Sequence, residues 1–492
     1  MKALKNKMIL GKDAYFDLDT NKTLRNNNVM IVGSPGSGKT RGVVIPNLLM
    51  AHGSYVVSDP KGNLCDTYGP YLKSKGYTVK RLDFSDPSRS MHYNPLHYVK
   101  SEQDILKLAT VLATTTDYGS YGHTDPIWPN TAIILLSALI GYAKERLNES
   151  DTNLHTVFEI LGLSDASSDA RDSGHLGMMD KLFLSYEEEL KKAGKKDSFA
   201  VRQYKKVASG SGKTFRSIVI SVLSGMGKFD TEEMAEVTAF DEINICDIAK
   251  KKTVLFVCVS DTDRSMDVMA NVFFMQALNE LCNYADRECA GNHLPIPVRF
   301  IMDDFATNCK VDQFPRMIAA FRSRWISAIL ILQAESQLNA AYGDDGRTII
   351  GSCDTYVYLG GNDIDTAKAV SERCDEPLLS VLNMPVGESI IFRRGEKAFH
   401  TTGFPLEEME EYQVAMDVYD RIYCAKDKEI DNAKTQTCPA SLYDRIEQIK
   451  AKEARINAEI DFAMHELSME EDFCKTHDAD TRANTVQKRK TS

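Results

Sequence analysis

The sequence predicts a parallel, doubly wound α/β sheet interrupted by a long all-helical stretch. Three observations lead there. Short continuous apolar runs recur in both halves of the chain, with helical spacing between several of them. A glycine-rich loop joins the first of these runs to a helix. Strand signals vanish from about residue 104 to residue 241 and then resume. Strands and helices alternating over such a length build a parallel sheet with helices on its faces.

The first run, Val29-Met30-Ile31-Val32, is apolar throughout, as a strand buried on both faces must be. After the glycine-rich loop, residues Val43 to Met50 read as helix. Tyr55-Val56-Val57 is a second strand, ending in Ser58-Asp59-Pro60-Lys61-Gly62, and Tyr77 to Leu82 is a third. Ile105 to Leu112, Ala132 to Arg146 and Thr214 to Leu223 carry helical spacing, so this stretch reads as an all-α insertion and a domain in its own right. Strands then return at Thr253 to Val259, Val298 to Met302, Ala328 to Leu332, Thr355 to Leu359 and Ser389 to Phe392. After about Pro405 the chain turns charged, with a helical pattern over Ser441 to Glu466 and a polar, disordered-looking tail from Met469 to Ser492. The expected organisation is an N-terminal segment 1–27, an α/β part 28–103, the all-α insertion 104–241, a second α/β part 242–404, and a charged C-terminal region 405–492.

At 492 residues, with 43% hydrophobic and 26% charged residues, the chain has an ordinary globular composition and several domains' worth of material. A formal net charge of −11 excludes a surface coated uniformly for nucleic acid, but not a local basic channel. The segment Lys191 to Arg216 holds nine lysines and arginines against a single Asp197. It reads either as a phosphate-contacting patch or as a solvated helix face balancing Glu187 to Glu189. The eleven cysteines include no C-x-x-C pair, which removes the usual zinc and thioredoxin-like readings and fits free thiols in a reducing compartment. Met1 to Leu10 lacks the apolar core of a signal peptide. The longest apolar run, Ala132 to Ala143, falls short of the roughly 20 residues that cross a bilayer. The expectation is an intracellular soluble chain without a membrane anchor of its own.

The chemistry begins at Gly33-Ser34-Pro35-Gly36-Ser37-Gly38-Lys39-Thr40, followed by Arg41. It matches G-x-x-x-x-G-K-S/T at every fixed position and lies between a strand and a helix, the setting a phosphate-binding P-loop requires. Glycines let successive backbone N–H groups turn inward around a phosphate. Lys39 then sets a charge against the β- and γ-phosphates of ATP or GTP, and Thr40 offers its hydroxyl to Mg²⁺. The similar string Ser209 to Thr214 has Val207 in place of the first glycine and no strand feeding it, so it reads as a decoy.

A P-loop needs an acidic partner at the carboxyl end of a neighbouring strand, and Phe300-Ile301-Met302-Asp303-Asp304 supplies one. Asp303 is placed to orient Mg²⁺ and Asp304 to polarise an attacking water. Gln333 ends another strand, where its amide would sense a γ-phosphate. Arg322, in Phe321-Arg322-Ser323-Arg324, is of the kind that crosses a subunit interface to neutralise charge in phosphoryl transfer.

These motifs, together with Tyr93-Asn94-Pro95-Leu96, Asp125-Pro126-Ile127-Trp128, Lys213-Thr214-Phe215-Arg216-Ser217 and Leu332 to Leu338, follow one order along residues 28–404. In that order they resemble the type IV secretion coupling proteins, the conjugative DNA-transfer ATPases, in the branch carried by Gram-positive mobile elements. The resemblance implies a RecA-like motor interrupted by an all-α domain, a homo-hexameric ring around single- or double-stranded DNA, and ATP with Mg²⁺ as cofactors. It implies relaxase (relaxosome) and secretion-channel proteins as partners, at the cytoplasmic face of the cell membrane. By motif position Lys39 and Thr40 contact nucleotide and Mg²⁺, Asp303 is the magnesium-side acid, Gln333 the γ-phosphate sensor and Arg322 the trans-acting arginine, with Arg324 its nearest competitor. Two departures stand out. Asp304 replaces the family's usual glutamate, and the N-terminal membrane helices usual in the family are not seen, so an anchor was lost or removed, or a partner supplies membrane contact. Other readings are another hexameric DNA translocase or helicase, and a recruitment platform that binds ATP but hydrolyses it poorly.

Overall fold

The structure, a computed structural model, describes residues 6–115, 127–164, 176–260, 263–308, 310–311 and 313–433. The helical pattern over Ser441 to Glu466, the tail from Met469 and the pair Asp125-Pro126 lie outside the described residues. Residues up to Asp420 form one compact unit, to which everything below refers.

Eleven strands are described. A hairpin of β1 (Lys7–Gly11) and β2 (Ala14–Asp17) stands apart from a nine-stranded sheet. That sheet contains β3 (Val29–Val32), β4 (Ser54–Ser58), β5 (Thr78–Asp83), β6 (Thr253–Cys258), β7 (Val298–Met302), β8 (Ile326–Leu332), β9 (Thr355–Tyr358), β10 (Glu388–Arg393) and β11 (Phe399–Thr402). Its order is β11-β10-β9-β3-β8-β7-β4-β6-β5. The seven strands from β9 to β5 in this order run parallel. The expectation that Ser389 to Phe392 belongs to a purely parallel sheet is corrected: β10 is antiparallel to both β9 and β11. The cause is local. Only a handful of residues separate β10 from β11, enough for a hairpin and far too few for a parallel crossover.

Successive side chains of a strand face opposite sides of the sheet, and two cores follow from that alternation. Val29, Ile31, Tyr55, Val57, Ile301 and Ile329 face one core, shared with the helix Asn63–Ser74 and the helix after the glycine-rich loop. Met30, Val32, Val56, Phe300 and Leu330 face the other. That second core continues without a break into the helices between β5 and β6, through Leu135, Leu139, Phe158 and Phe215. Between β5 and β6 the described elements are all helical.

The β1–β2 hairpin carried no sequence signal that stood out, and it docks through one polar residue. Buried Asn47 accepts from Ile9 N at 3.0 Å and donates to Ile9 O at 2.6 Å. The hairpin is thereby tied to the helix that follows the glycine-rich loop. No helix among the described residues is long and apolar enough to cross a membrane.

Candidate nucleotide site

β3 pairs in parallel with β8, and β8 with β7, so residues just beyond Val32, Leu332 and Met302 leave the sheet at one edge. These are Gly33, Gln333 and Asp303. After β3 the chain turns through Gly36 at φ 80° and Gly38 at φ 87°, a region that residues with a Cβ enter only at a cost. Gly33 answers to a different constraint: a Cβ there would stand 2.6 Å from Ser37 Oγ and 2.8 Å from Leu359 Cβ. Helix begins at Thr40 as a π-type turn over Thr40–Val44 and continues as Ile45–Leu49.

The cradle fits a phosphate on two counts. Ser37 Oγ is buried with no hydrogen-bond partner among the described residues. Lys39 folds back on the loop, donating from Nζ to Gly33 O at 2.6 Å and Ser34 O at 3.1 Å, carbonyls it can release for a better partner. Burial pushes the Lys39 ammonium below its ordinary value, opposed by the negative charges of Asp303 and Asp304.

Asp303 is raised to about 6, by burial first and by Asp304 next. The Asp304 amide donates to Asp303 Oδ1 at 3.1 Å, and Gln333 Nε2 donates to Asp304 Oδ1 at 3.3 Å. Asp304 sits at φ 48°, in the left-handed region that aspartate tolerates better than longer side chains do. Lys39, Asp303, Asp304 and Gln333 thus share one edge of the sheet. A cation beside Asp303 and Thr40 would meet a carboxylate already held among opposing charges.

In the metal-free protein the Asp303 carboxyl lies above its ordinary 3.8, so folding favours its protonated form. Its contribution is therefore most favourable below about pH 4 and is lost as pH rises through about 6. Asp303→Asn should raise metal-free stability at pH 8 by on the order of 1–2 kcal/mol, with little effect near pH 4. Thermal denaturation at the two pH values checks this, and equal shifts at both would contradict it.

Arg322 lies elsewhere. It is exposed, precedes the amino end of β8, and donates to Thr20 O at 3.1 Å. The seven residues of β8, at about 3.3 Å each, separate it from Gln333, beyond the reach of its own P-loop. Arg324 is anchored to Asp286 at 2.7 Å and to Ala320 O at 2.8 Å, leaving Arg322 the freer of the two. Arg41 pairs with Glu407, a contact its place in the P-loop did not foretell. The string Ser209 to Thr214 joins the helices Phe199–Ala208 and Gly212–Met226, and Ser211 caps the second by accepting from Thr214 N at 3.3 Å.

The lysine-rich segment divides in two. Lys191 and Lys205 pair with Glu187, Lys205 also with Asp197, and Arg202 with Glu102. Lys192, Lys195, Lys196, Lys206, Lys213 and Arg216 are exposed and form no ion pair among the described residues, Lys206 donating instead to Gln203 Oε1 at 3.0 Å. Sequence reasoning also passed over the end of β9. Gly360 O accepts from Ser34 N at 3.0 Å, and Leu359 closes over Gly33. The only signal was the glycine pair Gly360-Gly361 directly after a strand.

Residues 2–376 match the protein family described as Type IV secretory system Conjugative DNA transfer. The chain belongs to that family. Among its relatives is the protein VirD4 of Rhizobium rhizogenes, 24% identical over 363 residues, which cover 70% of this chain and 49% of that protein. The chain therefore spans about half the length of the curated relatives it matches. Two solved structures share the fold. The unbound monoclinic form of the bacterial conjugative coupling protein TrwBdeltaN70 aligns with a TM-score of 0.59 at 14% identity, covering 84% of this chain and 93% of that one. TrwB in complex with ADP and Mg²⁺ aligns with a TM-score of 0.53 at 15% identity, covering 76% and 85%. These structures share the mixed, mostly parallel sheet, and the family match makes the chain a member of the conjugative DNA-transfer family of type IV secretory systems.

Proposed function

We propose that this chain is an ATP-driven motor that moves DNA, delivering a relaxase-bound strand to a conjugative secretion channel. The observation that carries this reading is the meeting of Lys39, Asp303, Asp304 and Gln333 at the carboxyl ends of three adjacent strands, in a chain of the conjugative DNA-transfer family. Bound ATP with Mg²⁺ supplies the transferable phosphoryl group and the cation that neutralises it. The P-loop amides and Lys39 would hold the phosphates, while Thr40 and Asp303 would hold the cation. Asp304 would accept a proton at a carboxylate oxygen from water, and Gln333 fixes that carboxylate through its Nε2.

Arg322 cannot serve its own site, so on this reading it serves that of a neighbouring copy in a homo-hexameric ring. The continuous helical stretch between β5 and β6 supports an all-α insertion over 104–241, with the remaining boundaries as stated from the sequence. The spelling of the motif strings supports the Gram-positive mobile-element branch. The ring would work at the cytoplasmic face of the cell membrane, held there by an anchor or a partner.

Purified protein should hydrolyse ATP faster when DNA is added. Turnover indifferent to both single- and double-stranded DNA would argue against a DNA motor. The six exposed cations of the helical segment, without ion pairs among the described residues, are the supported DNA-binding groups. Neutralising Lys192, Lys195 and Lys196 should reduce the slope of log affinity against log salt by about 0.9 for each phosphate that is no longer neutralised. A slope that survives the change would remove the segment from the DNA path.

Asp304 favours a second reading, a platform that binds ATP and barely hydrolyses it. The two separate on Asp304→Glu. On the motor reading turnover falls, because glutamate overshoots the water and leaves Gln333 behind, and it tolerates φ 48° less well by about 1 kcal/mol. A large gain in turnover would instead support the platform.

A further inference from the structure

The sheet carries a cavity at its other end. Beneath the β1–β2 hairpin, at the amino ends of the strands and away from the P-loop edge, lies a cavity of about 380 Å³. Arg299 enters it from β7. In register it stands between Tyr55 of β4 and Ser327 of β8, and it is only 7% exposed. Its Nε donates to Ser327 Oγ at 3.3 Å, but its Nη1 is buried with no hydrogen-bond partner among the described residues.

The polar groups around it make hydrogen bonds of their own. The Tyr55 hydroxyl donates to Asn47 O at 3.0 Å and accepts from His52 N at 2.9 Å. His52 has its Nε2 at 3.1 Å from Lys7 O, and burial followed by the Arg299 charge lowers it to about 4, so it stays neutral near pH 7. Asp19 lines the cavity too, but its Oδ1 accepts from Asn21 N at 3.0 Å and Lys22 N at 3.2 Å. It forms no ion pair with Arg299 among the described residues. Burial weakens the protonation of Arg299, and Tyr55 is the one opposing influence. A buried guanidinium without an anion is among the least favourable groups a fold can carry.

Arg322 lines the same cavity, giving it two guanidinium groups and an apolar wall that includes Trp325 and Ile326. Planar arginine forks match the oxygens of a phosphate. The volume falls at the small end of ligand sites, about 300–1,000 Å³, and leaves room for more than a bare ion.

We propose that this cavity is a binding site for a phosphate group, with Arg299 as its buried anchor and, in the free monomer, Arg322 as its second ligand. The proposal does not rest on the motor reading. The phosphate has two possible sources, free inorganic phosphate or a small phosphomonoester.

The test uses the full chain carrying Lys39→Ala, which disables the P-loop, at concentrations where sedimentation shows a monomer. Inorganic phosphate and AMP are titrated separately while the melting temperature is followed. At least one should raise it by several degrees. Equal shifts assign free phosphate, and a larger shift with AMP assigns the phosphomonoester. Adding Arg299→Met should abolish the shift while leaving the ligand-free melting temperature equal or higher, since an unpaired buried charge is then removed. Arg322→Met should reduce the shift, and Arg299→Lys should weaken affinity at least tenfold. The proposal is overturned if neither ligand shifts the Lys39→Ala protein, or if the shift persists with Arg299→Met. It is equally overturned if Arg299→Met fails to fold, because the guanidinium would then be structural without any ligand.

Discussion

Replacing Lys39 by alanine is expected to abolish ATP hydrolysis and leave the fold intact. The ammonium is half-buried, its charged form is opposed by burial, and among the described residues it donates only to the carbonyls of Gly33 and Ser34. Its removal costs the free protein little, because an unfavourable buried charge goes with it. The same charge is what a polyphosphate meets inside the cradle, and preorganised donors of this kind are each worth about 10²–10³ in rate. Turnover should therefore fall by at least about 10²-fold, with the melting temperature unchanged or raised. Activity untouched by the substitution would place hydrolysis somewhere other than this P-loop.

Arg322→Ala should cost about 10³-fold in turnover if the residue neutralises transition-state charge on a neighbouring copy. The structure makes this a prediction with a second arm. Arg322 precedes the amino end of β8 and the P-loop lies at the carboxyl edge, so the two cannot meet within one chain. An Arg322→Ala chain keeps an intact P-loop, and a Lys39→Ala chain keeps an intact arginine. Mixed in equal amounts and reassembled at random, they should recover about a quarter of wild-type turnover, since one interface in four joins the intact halves. Mixtures as inactive as their components would mean that Arg322 does not act in trans. Arg324→Ala should not mimic the effect, as its guanidinium is held by Asp286.

The elements legible in the sequence were those whose physics is local. β3, β6 and β8 are buried on both faces, which demands an unbroken apolar run, and those runs are plain in the chain. The P-loop was legible for the same reason, since its glycines and Lys39 act at fixed spacing. Asp303 and Gln333 could be read as strand-end residues, and the sheet order then brought them to the Lys39 edge. The direction of β10 was not legible, because the same β-rich residues serve a parallel or an antiparallel neighbour. Neither was the β1–β2 hairpin, docked by Asn47 to backbone 38 residues away. The pairs Arg41–Glu407 and Arg202–Glu102 join distant parts of the chain, and no local pattern specifies such partners. Arg299 is the sharpest case. Within Val298 to Met302 it is one charge in an apolar run, and only the folded sheet shows that it has no counter-ion among the described residues.

The proposed motor couples ATP hydrolysis at this P-loop to movement along DNA. The most direct measurement is displacement of streptavidin from the end of biotinylated single-stranded DNA, or of a third strand from a triplex. Displacement is expected to require ATP and Mg²⁺ and to disappear with Lys39→Ala. Displacement that proceeds without ATP, or robust ATP hydrolysis with neither obstacle ever displaced, would contradict it.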